Sequence, residues 1–316
     1  MHIPEKCLVL GGKGFIGSHL VDALVAQGRS VRVLDRANLA PLSAPATNAQ
    51  VEWFDGDFTS ETDVRQALEG CDTVFHLVST TLPKSSNADP LFDVETNLMG
   101  TLRLLTHAVS SGVKKIVFSS SGGTVYGIPS IVPIPETHPT DPISSYGITK
   151  LAIEKYLYLF RDLHKLDYTT LRISNPYGER QRTRANQGAI AIFLGRVLRG
   201  ETIDIWGDGT TLRDYVYIGD VTNALIKAAH YSGTERTFNI GSGVGLSINQ
   251  ALDEIERATG LISKRNYAPA RGFDVPRSVL SINQAKTILE WEPLVAFPQG
   301  LAKTVAWLRS KPDSEI

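Results

Sequence analysis

The most constraining feature of this chain is the series it opens on: an apolar run, a glycine turn, an amphipathic run, a second apolar run and an acid, all by residue 35. Cys7-Leu8-Val9-Leu10 is short and continuously apolar, as expected of a strand buried on both faces of a parallel sheet. It leads into Gly11-Gly12-Lys13-Gly14-Phe15-Ile16-Gly17. Leu20, Val21, Leu24 and Val25 then recur at helical spacing until Gly28 supplies a stop. The glycines read as Gly12-x-Gly14-x-x-Gly17 or as Gly11-x-x-Gly14-x-x-Gly17. Either spacing brings backbone N–H groups and a helix N-terminus onto a pyrophosphate. A second strand, Val31-Arg32-Val33-Leu34, ends at Asp35, 18 residues beyond Gly17. An acid at that distance accepts hydrogen bonds from adenosine ribose hydroxyls and repels a 2′-phosphate. The turn is therefore predicted to hold NAD rather than NADP, with Arg36 leaving Asp35 in place at the strand end.

Strand and helix patterns continue to alternate, which argues a doubly wound parallel sheet. Val51-Glu52-Trp53-Phe54 reads as a third strand, followed by Asp57, placed to meet an adenine amino group. Thr59-Ser60-Glu61-Thr62 opens a helix with capping-box chemistry, and Gly70 closes it. Thr73–Val78, Lys115–Phe118 and Thr169–Ile173 read as further strands. Long helices are expected from about Pro90 to Ser111, with Asn97 in the middle, and from about Ser145 to Leu166. The prolines at 129, 133, 135, 139 and 142 forbid helix and predict an extended surface loop. His76, at the end of an apolar strand, is expected to be a satisfied core histidine. Asp55 and Asp57 lie on the adenine side and are not expected to share acid–base work.

Tyr146 and Lys150 stand four residues apart, one helical turn, and so share a face. A free phenol, with a pKa near ~10, is a poor base at neutral pH. A nearby ammonium and a cationic nicotinamide ring favour the phenolate, and lowering the pKa by three units takes roughly 4 kcal/mol. Such a phenol can take a proton from a hydroxyl as hydride leaves, and return it later. A hydroxyl from Ser119-Ser120-Ser121 would complete the relay. Together with the glycine turn, this predicts hydride chemistry on an alcohol or ketone.

A formal net charge of −1 gives no basic excess for nucleic acid, and no apolar run approaches the ~20 residues that span a bilayer. Cys7 and Cys71 lie in apolar runs without CxxC or Cys/His ligand spacing, which predicts neither a metal site nor a disulfide framework. The first residues lack the layout of a signal peptide, so a soluble cytoplasmic protein is expected.

The ordered motifs resemble the extended short-chain dehydrogenase/reductase superfamily, and within it the NAD-dependent nucleotide-sugar epimerases. They are Gly11–Gly17, Asp35, Asp57, His76-Leu77, Asn97 before Gly100-Thr101, Ser119–Ser121, Val125-Tyr126-Gly127, Tyr146–Lys150, Asn175-Pro176-Tyr177-Gly178, Gly207-Asp208-Gly209 and Arg213-Asp214-Tyr215-Val216. Phe238–Gly241 and Glu290–Pro293 match late family segments. The resemblance implies an α/β fold: a Rossmann-like doubly wound parallel sheet with a smaller α/β substrate-binding lobe. The NAD domain would take residues 1–174 plus 214–241, and the lobe 175–213 plus 242–316. It also implies cofactor contacts from Gly11, Gly14, Phe15, Ile16, Gly17, Asp35, Asp57, Phe58, Leu77, Val78, Ser79, Asn97, Ser119, Tyr146 and Lys150. Asn175, Arg213 and Arg271 fall where the family contacts its nucleoside diphosphate, a role that suits arginine's fork.

The resemblance makes Tyr146, Lys150 and one hydroxyl the catalytic set. The hydroxyl usual four residues before the Val-Tyr-Gly tyrosine is replaced by Gly122. Counting from the strand instead puts it at Ser121, with Ser120 or Thr124 as substitutes. Ser121 and Tyr146 would then also touch the sugar. Family members that eliminate water or decarboxylate carry acids beside this turn, whereas Gly122-Gly123-Thr124 has none. Epimerisation through a transient 4-keto sugar is therefore the expected activity, on a UDP-hexose or UDP-N-acetylhexosamine. The alternatives are a nucleotide-sugar reductase or dehydrogenase, and a non-catalytic NAD-binding scaffold. Ser278 matches a position lining the sugar's C2 side, where a small residue admits an acetamido group. A homodimer is implied, pairing the helices around Asn97 and Tyr156, with Leu98, Leu102, Leu105, Ile153, Leu157 and Phe160 as candidate contacts.

Overall fold

The computed structural model describes residues 6–39, 50–185, 187–270 and 275–312. Its strands, in chain order, are β1 (Lys6–Leu10), β2 (Ser30–Asp35), β3 (Val51–Asp55), β4 (Thr73–His76), β5 (Lys115–Ser121), β6 (Asp167–Ile173) and β7 (Asn175–Tyr177). They continue with β8 (Thr202–Trp206), β9 (Leu212–Tyr217), β10 (Thr237–Ile240), β11 (Gly245–Ser247), β12 (Lys264–Ala268) and β13 (Arg277–Ser278). The described residues fall into two compact units: 1–127 with 139–172 and 222–238, and 128–138 with 173–221 and 239–316.

The first unit is built on a seven-stranded sheet of order β10-β6-β5-β4-β1-β2-β3. The β1–β2, β2–β3, β1–β4 and β4–β5 pairs are parallel, with Leu10 opposite Leu34 and His76. The order reverses at β1 and β4, the switch point where such sheets bind ligands beyond their carboxyl ends. Parallel central strands need apolar residues on both faces, and Leu8, Val9, Leu10, Val33, Val74, Phe75, Ile116, Val117 and Phe118 are all buried. The helices are α1 (Phe15–Ala26), α2 (Glu61–Leu68), α3 (Pro83–Ser86), α4 (Pro90–Asp93), α5 (Gly100–Ser110) and α6 (Ser145–His164). Ser60 caps α2, its hydroxyl accepting from the Asp63 N–H, and α6 ends at Lys165 in the left-handed region.

Two expectations change here. The long helix expected from about Pro90 to Ser111 is interrupted: residues 94–99 between α4 and α5 form a π turn around Asn97. Such turns recur at functional sites because the extra residue re-aims side chains. Three residues expected to meet a second subunit are instead buried within the chain. Leu105, Ile153 and Leu157 belong to the core beneath the sheet, and the apolar residues that α4, the π turn and α6 leave exposed are Leu91, Phe92, Val94, Met99, Ile148, Tyr158, Leu159 and Leu163.

The second unit holds a four-stranded sheet, with β9 between β11 and β13 and also paired to β7, and the two-stranded β8–β12 pair. Its helices include α7 (Ala189–Leu198); α8 (Ile218–His230) follows β9, and α9 (Ile248–Thr259), α10 (Asn283–Thr287) and α11 (Phe297–Arg309) complete the chain. Trp291 is buried, donating its indole N–H to the Asp220 carbonyl. The proline-rich segment is extended, as its composition predicts, but it is not all surface. Ile134 is fully buried and bridges Leu280, because its backbone N–H and carbonyl pair with Val279 and Ser281.

Candidate active site

The glycine turn joins β1 to α1. Gly11 lies in the left-handed region at φ 84°, which lets the chain reverse while its N–H still donates to the Leu34 carbonyl. Gly17, inside the first turn of α1, packs so closely that a methyl group there would collide with the Gly11 carbonyl oxygen. Gly14 is the N-cap and supplies no side-chain cap, so the first N–H groups of α1 are available to an anion. Gly14, Phe15, Ile16 and Gly17 thus form a backbone surface suited to a diphosphate. Leu77, Val78 and Ser79 leave β4 beside it: the Leu77 N–H donates to the Leu10 carbonyl, and Val78 sits against Gly11.

Asp35 ends β2, one carboxylate oxygen accepting from the Lys13 backbone N–H at 2.9 Å and the other from the Arg36 N–H. The Lys13 side chain, buried within the turn, pairs with Asp55 at 2.6 Å. That pairing was not apparent in the sequence, where a lysine between glycines was its one signal. It takes the turn's cation away from a 2′-phosphate and spends Asp55 structurally. Asp57 accepts from the Thr59 N–H and hydroxyl, which hold its carboxyl below the usual range. Phe58 is buried and packs with Phe118 around the His76 ring. His76 is a core residue as expected, but only half satisfied: its Nε2 meets the Thr101 hydroxyl at 2.8 Å, its Nδ1 has no partner among the described residues, and burial pushes its pKa down to about 3.

Tyr146 and Lys150 occupy the first two turns of α6, whose start is tied down by side chains. The Ser144 hydroxyl caps Gly147, the Ser145 N–H donates to Asn87 Oδ1 at 2.8 Å, and the Tyr146 N–H donates to Ser86 Oγ at 3.0 Å. Lys150 Nζ donates to the Ser119 carbonyl at 2.9 Å and lies 4.8 Å from the Phe118 ring centroid and 5.6 Å from that of Tyr146. Burial lowers the Lys150 pKa to about 8, opposed by Asp93 and Glu154. Burial, then the Asp93 charge, raises the Tyr146 phenol to about 12. The protein alone therefore keeps the phenol protonated, and Lys150 does not outweigh that.

The three hydroxyl candidates separate. Ser120 is buried and donates to Glu154 at 2.5 Å. Glu154 in turn pairs with Arg172 at 2.6 Å, and Arg172 reaches the Tyr126 hydroxyl at 2.9 Å. This network braces β5, α6 and β6. The Thr124 hydroxyl is buried without a partner among the described residues. Ser121 is half-buried, with no hydrogen bond to its hydroxyl among the described residues, and so keeps that group open to a ligand. Asn97 turns its amide inward: Oδ1 accepts from the Thr80 N–H at 2.9 Å, and Nδ2 donates to Asp93.

In the second unit, the β7–β9–β13 pairings gather Asn175, Arg213 and Ser278, three of the residues expected at the diphosphate and sugar. Asn175 is opposite Tyr215 and donates to the Asp214 carbonyl at 2.9 Å. Arg213 is opposite Ser278, and its guanidinium donates to the Leu212 and Val275 carbonyls. Ser278 is buried, so a larger side chain there has to displace neighbours. Arg271 lies outside the described residues.

Comparison with known proteins bears on this arrangement. The profile of the NAD dependent epimerase/dehydratase family matches residues 7–241, from β1 to just past β10. The chain belongs to that family. It is thus an NAD-dependent enzyme, and its glycine turn, whose closest approach excludes a Cβ, fits the dinucleotide. The chain is 38% identical to the UDP-glucose 4-epimerase of Mycolicibacterium smegmatis over 97% of this chain and 99% of that one. It superposes on the UDP-glucose 4-epimerase of Thermotoga maritima, solved with UDP-glucose, with a TM-score of 0.90 at 39% identity, covering 96% and 99% of the two chains. The UDP-N-acetylglucosamine 4-epimerase of Methanobrevibacter ruminantium, solved with UDP-N-acetylmuramic acid, gives 0.91 at 30% identity over 98% and 99%. No helix of the described residues is long and apolar enough to cross a membrane.

Proposed function

We propose that the protein interconverts the C4 epimers of a UDP-linked hexose or N-acetylhexosamine. The observation that carries the reading is the Tyr146–Lys150 pair on one face of α6, with Lys150 fixed on Ser119 at the end of β5. Gly122-Gly123-Thr124 at the adjoining turn carries no carboxylate, which argues against elimination and decarboxylation on the same scaffold. The relatives named UDP-glucose 4-epimerase and UDP-N-acetylglucosamine 4-epimerase support both the reaction and the nucleotide.

Gly11–Gly17 would hold the NAD pyrophosphate, Asp35 the adenosine ribose, and Asp57 the adenine. The chemistry bound NAD supplies is reversible acceptance of hydride from the sugar carbon. Tyr146 holds and moves the proton at the sugar's O4, and Ser121 donates a hydrogen bond to the same oxygen. Lys150, an ammonium through neutral pH, orients the phenol and favours its ionisation once the site is charged. Asn175, Arg213 and Arg271 would bind the nucleoside diphosphate, and Ser278 would leave space at C2. The chain divides functionally into an NAD domain (1–174, 214–241) and a sugar-nucleotide lobe. Two copies pair through the exposed apolar faces of α4, the π turn and α6.

The experiment is a panel of nucleotide sugars incubated with purified protein and no added cofactor, read as the 4-epimer ratio. UDP-glucose and UDP-N-acetylglucosamine are expected to reach their equilibrium mixtures. No epimer from any UDP-sugar would overturn this reading, and stoichiometric consumption of NAD(P)H in a second incubation that contains it, with net reduction, would replace it with the reductase.

A further inference from the structure

Asp93, the last residue of α4, is completely buried, and its partners among the described residues are all neutral. One carboxylate oxygen accepts from Asn97 Nδ2 at 3.0 Å and from the Thr81 hydroxyl. The other accepts from Ser145 Oγ at 2.7 Å and Thr149 Oγ1 at 2.8 Å. Ser145 and Thr149 immediately precede Tyr146 and Lys150, so one carboxylate grips α6 by the residue before each chemistry-bearing side chain. Through Asn97 it also holds the Thr80–Thr81 loop that leaves β4. Four donors need the lone pairs of a carboxylate; an amide oxygen offers half as many. Burying that charge with no cation bonded to it is costly unless donors and a helix N-terminus compensate, and the first turn of α6 supplies both.

We propose that Asp93 is a positioning residue for the reaction: it fixes the first two turns of α6, and its negative charge acts on Tyr146 and Lys150 alike. The titratable and charged groups around this pair are Asp93 from α4, Glu154 one turn on along α6, tied to Arg172 of β6, and the buried neutral His76 from β4. From α3 and the residue after it come only the neutral Ser86 and Asn87. The Asp93 charge raises both the phenol and the ammonium pKa. Removing it lowers both. A pH–rate profile rising as Tyr146 ionises and falling as Lys150 loses its proton would therefore move as a whole toward acid. A residue that only holds the fold would lower the rate at every pH and move neither limb.

This inference rests on the epimerase reading, and its test separates the two. Asp93→Asn keeps shape, removes the charge and leaves one acceptor oxygen for the four donors. With the NAD-bound enzyme and UDP-glucose, both limbs of the kcat profile are expected to move down by about one pH unit, with the sugar KM changed less than about twofold. Limbs that stay in place overturn the proposal. A readout without turnover is the tyrosinate absorbance of the NAD-bound protein minus that of its Tyr146→Phe variant. Its midpoint is expected to fall by about one unit in the Asp93→Asn background, and an unmoved midpoint overturns the proposal. An inactive wild type would count against the epimerase reading, and the absorbance titration would still decide Asp93. Should Asp93→Asn not fold, Thr149→Val removes one of its donors at constant shape. It is expected to lower kcat roughly tenfold with the sugar KM unchanged, and an unchanged kcat overturns the positioning role.

Discussion

The glycine turn after β1 and the first turns of α6 are built by opposite means. The turn works by leaving side chains out: at Gly17 the backbone packs on the Gly11 carbonyl with no space for a methyl group. The start of α6 works by bringing side chains in. Its N–H groups and hydroxyls meet Ser86, Asn87 and Asp93, residues 52 to 60 positions earlier in the chain. Close backbone approach is what a diphosphate needs, and it can be written into a few consecutive residues. A phenol and an ammonium must instead be held at fixed angles, which takes partners from several elements. The first region should therefore fail when an atom is added, and the second when one is removed.

The largest expected effect is Tyr146→Phe, which deletes one oxygen and little volume. Turnover should fall about 10²- to 10⁴-fold while NAD stays bound and thermal stability is kept. A variant that lost its cofactor instead would show that the phenol serves binding, and the contrast between the regions would blur. Gly17→Ala adds one carbon to the turn. It should cost roughly 1–3 kcal/mol of stability and release NAD on purification, measured as nicotinamide absorbance in the protein extract. Retained NAD would mean that the turn tolerates side chains after all.

His76 supplies a pH prediction on neither arm, and so calibrates both. Its folded pKa of about 3 lies below the ordinary 6.5, so the unfolded state takes up the proton first as pH falls. Stability is complete above the ordinary value and declines from there toward the folded one. Between about pH 7 and about pH 5 this amounts to roughly 2 kcal/mol. His76→Asn should flatten that part of the denaturation–pH curve, and an unchanged slope would assign the acid sensitivity to other groups. The smallest effect is Ser86→Ala. Removing the hydroxyl that caps the Tyr146 N–H should cost about 1 kcal/mol in chemical denaturation, with a modest fall in kcat.

The same contrast governs what could be read in advance. The β1–turn–α1–β2 unit, Asp35 and the parallel sheet were legible because their signals are local: apolar runs, glycine spacing and one acid. Tyr146 and Lys150 were legible as a pair because helical spacing alone puts them on one face. Asp93 was not. Three residues after Pro90 it reads as an ordinary acid in a first helical turn, and its donors lie in three other segments. The π turn at 94–99 has an unremarkable helical composition, so nothing local announces it. Ser120, Ser121 and Thr124 were equivalent as letters and became distinct only when Glu154 and Arg172 claimed Ser120. The buried Ile134 was hidden by the prolines around it, which report backbone shape and not depth.

The central claim is that this site removes and returns hydrogen at a sugar carbon with Tyr146 carrying the proton. The most direct measurement uses UDP-glucose deuterated at C4, incubated in ordinary water with the protein as purified and no added cofactor. UDP-galactose that retains the deuterium at C4, formed by the wild type and not by Tyr146→Phe, is the predicted result. Product that has exchanged its label with solvent, or a Tyr146→Phe variant that forms it at the wild-type rate, would contradict the claim.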